Sequence, residues 1–194
     1  MKSYRIILAS KSPRRRELLA EMGYDFEIRT KDGIDETYPD GLNPRQTATF
    51  IANKKRDAFL PELKDDELLI TADTIVCLEN LVLGKPKNED DARDMLKILS
   101  GKTHVVVTGV TVTTGDGMHK SEFCVTTEVR FAPLSEEVIE HYVSHYKPLD
   151  KAGAYGIQEW IGTVGIDGIN GSYNNVVGLP TSQLKMILDK ICVN

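Results

Sequence analysis

Two β-branched runs, Thr103 to Thr114 and Ser121 to Phe131, flank the turn-forming Gly115-Asp116-Gly117. Valine and threonine suit a pleated, half-buried surface, and glycines in a short connection let the chain reverse on itself. That pattern is a hairpin, so at least one pair of strands must be antiparallel. The hairpin sits in a chain where helical and extended patterns alternate from end to end. Together these features predict an α/β fold with a mixed sheet rather than a purely parallel one.

The remaining elements follow from local signals. Tyr4 to Ala9 is a short apolar strand. Pro13 to Met22 reads as a helix, with Ser12 as its N-cap, Pro13 at the first helical position and Gly23 past its end. Tyr24 to Thr30 alternates like a strand, and Asp32 to Pro44 is a polar loop containing Glu36. A second helix runs from Pro44 to Phe59, with Ala48, Ile51, Ala52 and Lys55 along one face. Leu68 to Leu78 is an apolar strand interrupted at Thr71-Ala72-Asp73-Thr74, and Gly84-Lys85-Pro86 is a turn. Glu89 to Leu99 and Ser135 to His145 are helices. Glycine-dotted loops then cover Lys147 to Gly178, before a last helix from Pro180 to Ile191. No internal repeat or low-complexity stretch breaks the 194 residues, a length that suits one large domain or two intimately packed lobes rather than a string of modules.

Composition narrows the function classes. Hydrophobic residues make up 41% and charged residues 27%, the balance of a globular protein with a real core. The formal charge of −5 argues against a chain built to coat nucleic acid, which needs clustered excess Lys and Arg. No apolar run approaches the ~20 residues of a membrane-spanning helix. The start from Met1-Lys2-Ser3 carries too short an apolar stretch for a secretory signal, which predicts a cytoplasmic protein. Cys77, Cys124 and Cys192 are widely spaced and odd in number, so they read as buried thiols rather than as a zinc or disulfide framework.

The first chemical candidate is Ser10-Lys11-Ser12-Pro13-Arg14-Arg15-Arg16. A strand that feeds straight into a helix presents free backbone N–H groups at the helix start, where an anion is favoured. Arginines are electrostatically unwelcome there, and a bound phosphate chain would explain three of them together. Taken locally, the run fits a simple helix cap with solvated arginines equally well. Asp73 is the second candidate, because a carboxylate among apolar β-formers must be paired, hydrogen-bonded or holding a cation. It could bind Mg²⁺ or take a proton from water; the alternative is a structural aspartate capping a turn. Lys55, Lys85 and Glu36 are ordinary residues in isolation. Gln158, in a loop of small residues from Asp150 onward, carries an amide able to read a nucleobase edge.

Two look-alikes fail. Ser100-Gly101-Lys102-Thr103 imitates the end of a P-loop but follows a helix and precedes a strand, the reverse of what that motif needs. His141 and His145 are one helical turn apart but lack the accompanying Glu and a third ligand.

In order along the chain, several segments resemble the Maf family of nucleoside triphosphate pyrophosphatases. They are Ile7 to Arg15, Ala72 to Val76, Gly84-Lys85-Pro86, Ser100 to His104, Asp150 to Gln158, and Gly171 to Pro180. The resemblance implies a two-lobed fold like that of inosine triphosphate pyrophosphatases, forming one catalytic domain over residues 1–194. An elongated mixed sheet would be flanked by helices around a central cleft. It implies hydrolysis of a nucleoside triphosphate to monophosphate and pyrophosphate with Mg²⁺ or Mn²⁺. By position, Asp73 would be the general base, and Glu36 with Asp73 would face the metal. Ser10, Ser12, Arg15, Lys55 and Lys85 would hold phosphates. Arg14, Thr74 and Gln158 resemble the branch acting on dTTP and UTP, a house-cleaning role that extends to modified pyrimidine triphosphates. Trp160, after Glu159, departs from the glycine-rich sequence more usual there. The resemblance also implies a homodimer. A nucleotide-binding regulator of division or septum formation, with little turnover, is the rival reading.

Overall fold

The computed structural model describes residues 4–192, with only the backbone at position 192. The first three residues, used above to judge export, and the Cys192 thiol therefore lie outside the described residues. Seven strands form one mixed sheet in the order β2-β1-β3-β5-β6-β7, with β4 paired to β3. These are β1 (Arg5–Leu8), β2 (Phe26–Ile28), β3 (Glu67–Leu78), β4 (Leu81–Leu83), β5 (Thr103–Thr114), β6 (Lys120–Phe131) and β7 (Ile166–Asn170). The helices are α1 (Pro13–Glu21), α2 (Pro44–Phe59), α3 (Glu89–Leu99), α4 (Glu136–Tyr146), α5 (Trp160–Gly165), α6 (Tyr173–Val177) and α7 (Thr181–Cys192). β1 lies parallel to both β2 and β3, whereas the β3–β4 and β6–β7 pairs are antiparallel. The α/β class and mixed sheet are as the hairpin and alternation predict. The turn after β5 is closed by the Thr114 N–H donating to the His119 carbonyl at 3.0 Å.

The chain divides into two compact units. The first takes residues up to Asp73, then Thr108–Val125 and the chain from Gly178. Here the parallel strands bury Ile7 and Leu69, which cluster with Ala9 and Phe59. Helix α2 presses closely on the sheet. A Cβ on Gly109 would come within 2.5 Å of the Ala48 backbone, so only glycine fits at that point of β5. The Thr71 hydroxyl donates to the Ala52 carbonyl at 2.8 Å, fixing α2 against β3. This close packing sets the position of everything α2 carries.

The second unit takes Thr74–Val107 and Thr126–Val177. Its core gathers Leu96 and Leu99 of α3, Tyr142 and Val143 of α4, Phe131 of β6, and Tyr155 and Ile157. α3 starts at Asn88, whose side chain accepts from the Asp91 N–H, and carries three acids in its first turn, matching the helix dipole.

Several expectations need correction. The strand expected over Tyr24 to Thr30 is ordered as a strand only at Phe26–Ile28, the residues with partners on β1. β3 is not interrupted at Thr71 to Thr74; it runs continuously to Leu78, because Thr71 and Asp73 find polar partners without leaving the sheet. The region after Lys147 is not all loop. It holds a 3-10 turn at Ala152–Ala154, α5, β7 and α6. β7 is ordered by pairing with β6, a partner distant in sequence that local glycine content conceals. Cys77 is buried as expected, with burial pushing its thiol up to about 11, but Cys124 is only half-buried.

Candidate active site

In the first unit, β1 ends at Leu8 and passes through Ser10 into α1. Ser10 is buried and its hydroxyl accepts from the Ser12 N–H at 3.1 Å. Ser12 is the N-cap, accepting from the Arg15 N–H at 3.4 Å, and Pro13 opens the helix as its fixed φ favours. Arg16 is exposed, whereas Arg14 and Arg15 are half-buried. The Arg15 side chain donates from Nε to the Gly178 carbonyl at 2.8 Å, which fixes its direction. Loss of hydration pulls the Arg15 pKa below its ordinary value. Asp73 opposes that shift, Arg14 adds to it, and Glu36 opposes it.

Lys55 is the centre of this group. It follows Ala52 by three residues on the face of α2 that meets the sheet, while Asp73 follows Thr71 by two on the same face of β3. The Thr71–Ala52 bond therefore brings Lys55 to Asp73. Lys55 Nζ donates to Asp73 Oδ1 at 2.6 Å and lies 3.1 Å from Glu36 Oε1. Asp73 and the Lys55 side chain are nearly buried, and Glu36 is exposed. One ammonium thus gathers a carboxylate from a strand and another from a loop.

The preceding residue pair repeats the pattern. Lys54 Nζ donates to Asp35 Oδ2 at 2.6 Å and to the Thr37 carbonyl at 2.9 Å. The Lys54 and Thr37 hydrogen bonds hold the Asp35 carboxyl well below the usual carboxylate range. Adjacent lysines on α2 therefore grip adjacent acids on the loop. Sequence reasoning missed the Asp35–Lys54 half, although the signal was present as complementary doublets, Asp35-Glu36 and Lys54-Lys55.

The carboxylates of Glu36 and Asp73 fit one kind of metal. Two hard oxygen donors suit Mg²⁺ or Mn²⁺, ions that keep several waters and draw further ligands from a substrate's phosphates. Among the described residues no cluster of three or more His, Cys, Asp or Glu is placed to hold a metal ion by itself.

The second unit holds Thr74, Lys85 and Gln158. Thr74 is half-buried and, as the next residue of β3, points to the opposite sheet face from Asp73. Lys85 is exposed on the irregular segment after β4. Gln158 is exposed after the 3-10 turn. Their two segments are tied together where the Gly153 N–H donates to the Gly84 carbonyl at 3.0 Å. Gly153 has φ of +68°, and a Cβ there would press on the Val76 side chain at 3.0 Å, so both backbone conformation and space favour glycine. Nearby, buried His104 bonds the Tyr155 hydroxyl at 2.7 Å, and burial lowers its imidazole pKa to about 4.

A family model described as Maf-like protein matches residues 5–191. The dTTP/UTP pyrophosphatase of Phocaeicola vulgatus is 55% identical over 191 residues, covering 98% of this chain and 98% of that protein. The dTTP/UTP pyrophosphatase of Bacteroides fragilis is 51% identical over 181 residues, covering 93% of each. That of Flavobacterium johnsoniae is 47% identical over 187 residues, covering 95% and 93%. A solved HAM1 protein from Coxiella burnetii is similar at 14% identity and a TM-score of 0.47 over 96% of this chain and 99% of that one, too remote a likeness to argue from.

Proposed function

Because this chain belongs to the Maf-like protein family, we propose that it hydrolyses dTTP and UTP to the nucleoside monophosphate and pyrophosphate. The observation that carries the reading to particular atoms is the Asp73–Lys55–Glu36 arrangement, with Arg15 close enough to respond to both acids. Release of intact pyrophosphate requires water to attack the α-phosphorus while the bond to the α,β-bridging oxygen breaks. Asp73 accepts the water's proton, since it is the nearly buried carboxylate of the group and is held in direction by Lys55. Ser10 and Ser12 line the start of α1, where the positive end of the helix dipole favours phosphate oxygens. Arg15, Lys55 and Lys85 offset charge on the phosphates and the departing pyrophosphate.

Glu36 and Asp73 would hold a divalent cation, which when bound neutralises phosphate charge. The Lys54–Asp35 contact keeps the Glu36 loop against α2. Arg14, Thr74 and Gln158 choose the base, with the Gln158 amide able to donate and accept at once. A regulator that bound nucleotide without turnover would have no need of a general base.

Pyrophosphate release from dTTP, UTP, CTP, GTP and 7-methyl-GTP with Mg²⁺ tests the reading. Preference for dTTP and UTP supports it. Tight binding with negligible turnover, or a preference for purine triphosphates, would overturn it.

A further inference from the structure

The Gln158 segment is held from beneath by a group that the reaction itself does not need. Tyr142 lies on the core face of α4 with its side chain fully buried. Its hydroxyl accepts from the Gly156 N–H at 3.0 Å and donates to Glu159 Oε2. Gly156 and Glu159 bracket Gln158. A Cβ on Gly156 would meet Gln158 Nε2 at 3.0 Å and the Glu159 carboxyl at 3.0 Å, so the amide and the carboxylate both lie over the bare Gly156 backbone. The second Glu159 oxygen is 3.0 Å from Lys151 Nζ, which also reaches Asp150 at 2.7 Å. Burial, with the Glu159 hydrogen bond adding to it, raises the Tyr142 pKa, so the hydroxyl keeps its proton and stays a donor. One hydroxyl therefore fixes the floor under the Gln158 amide and the group beside it.

We propose that Tyr142 is a positioning residue for base selection, aiming the Gln158 amide through Gly156 and Glu159. This rests on the reading of Gln158 as the base-contacting residue. A fixed amide discriminates between base edges because a wrong edge leaves its donor or acceptor unpaired, whereas a swinging amide adapts to either.

The test is Tyr142→Phe, which keeps the ring in the core and deletes only the hydroxyl. Pyrophosphate release from dTTP and GTP is measured in four chains: wild type, Tyr142→Phe, Gln158→Ala and the double variant. KM for dTTP should rise about tenfold in Tyr142→Phe while kcat stays within about twofold and kcat/KM for GTP is unchanged, so the preference for dTTP over GTP falls about tenfold. In the Gln158→Ala background the tyrosine change should move that preference by less than about twofold. Should Tyr142→Phe fold poorly, Glu159→Ala, at the half-buried far side of the same joint, should give the same split.

An equal loss for every triphosphate, or an undiminished effect in the Gln158→Ala chain, would overturn the proposal. If Gln158→Ala loses preference but Tyr142→Phe and Glu159→Ala keep it, the positioning role alone is wrong. If Gln158→Ala keeps wild-type preference, the reading of Gln158 falls and the proposal with it.

Discussion

Lys55 Nζ lies 2.6 Å from Asp73 Oδ1, joining the C-terminal part of α2 to the middle of β3 through two nearly buried side chains. The contact is a consequence of packing: Gly109 lets α2 approach β5, and the Thr71–Ala52 bond sets the register one turn away. Replacing Lys55 with Met keeps most of the side chain's volume but leaves Asp73 without its ammonium partner. Lys55→Met should lower stability by roughly 1–3 kcal/mol and reduce kcat/KM for dTTP at least tenfold. Denaturant unfolding and pyrophosphate release check the two parts, and unchanged values in both would remove Lys55 from the account.

A second ion group supports the fold without chemistry. Glu67, at the start of β3, accepts two bonds from Arg29 at 2.9 Å, one from Arg5 at 3.0 Å and one from the Lys64 N–H at 3.0 Å. The Arg29 hydrogen bonds lead in holding its pKa down, to about 2, against the opposing effect of burial. A carboxylate whose folded pKa is depressed contributes stability that is present above its unfolded pKa and is lost as pH falls toward the folded value. Thermal stability should therefore drop as pH falls from 5 to 2. Glu67→Gln should flatten that slope while costing on the order of 2 kcal/mol at neutral pH. A slope identical to that of wild type would show that other groups set the acid limit.

The paired lysines predict a separable effect on metal demand. Lys54→Met breaks the contacts to Asp35 and Thr37 but leaves Lys55 and Asp73 in place. The half-saturating Mg²⁺ concentration should rise several-fold, with kcat at saturating Mg²⁺ close to wild type. Chelator should abolish turnover in both chains. A Mg²⁺ titration that superimposes on wild type would mean Glu36 does not depend on the Asp35–Lys54 brace.

Arg14 and Arg15 are neighbours that should separate in function. Arg15 is aimed by the Gly178 carbonyl and responds to Asp73 and Glu36, whereas Arg14 is assigned to the base. Arg14→Ala should change the ratio of dTTP to GTP turnover more than it changes kcat for dTTP. A uniform loss across all triphosphates would put Arg14 with the phosphates instead.

Much of this arrangement was legible in the sequence because its signals are local. Ser12 and Pro13 announce the start of α1, and the Gly115–Gly117 turn announces the hairpin. A carboxylate among Leu69, Ile70, Ile75 and Val76 announces that Asp73 has a partner. The partner's identity was hidden, since Lys55 meets it only when α2 docks, and helix lysines look alike in sequence. The continuity of β3 was hidden for the same reason: side-chain bonds from Thr71 and Asp73 keep polar residues in the strand. β7 depends on β6, and the floor under Gln158 depends on Tyr142 of α4, fourteen residues before Gly156. The departure at Glu159-Trp160 was visible as an oddity; only the packed structure gives Glu159 its partners, Tyr142 and Lys151.

The most direct test is steady-state pyrophosphate release from dTTP by Asp73→Asn at saturating Mg²⁺, with thermal unfolding and nucleotide binding measured on the same sample. The exchange keeps the shape of the side chain and removes its ability to take a proton. Turnover should fall by roughly 10²–10⁴-fold while the chain stays folded and still binds dTTP. Turnover equal to wild type in a folded Asp73→Asn chain would contradict the account.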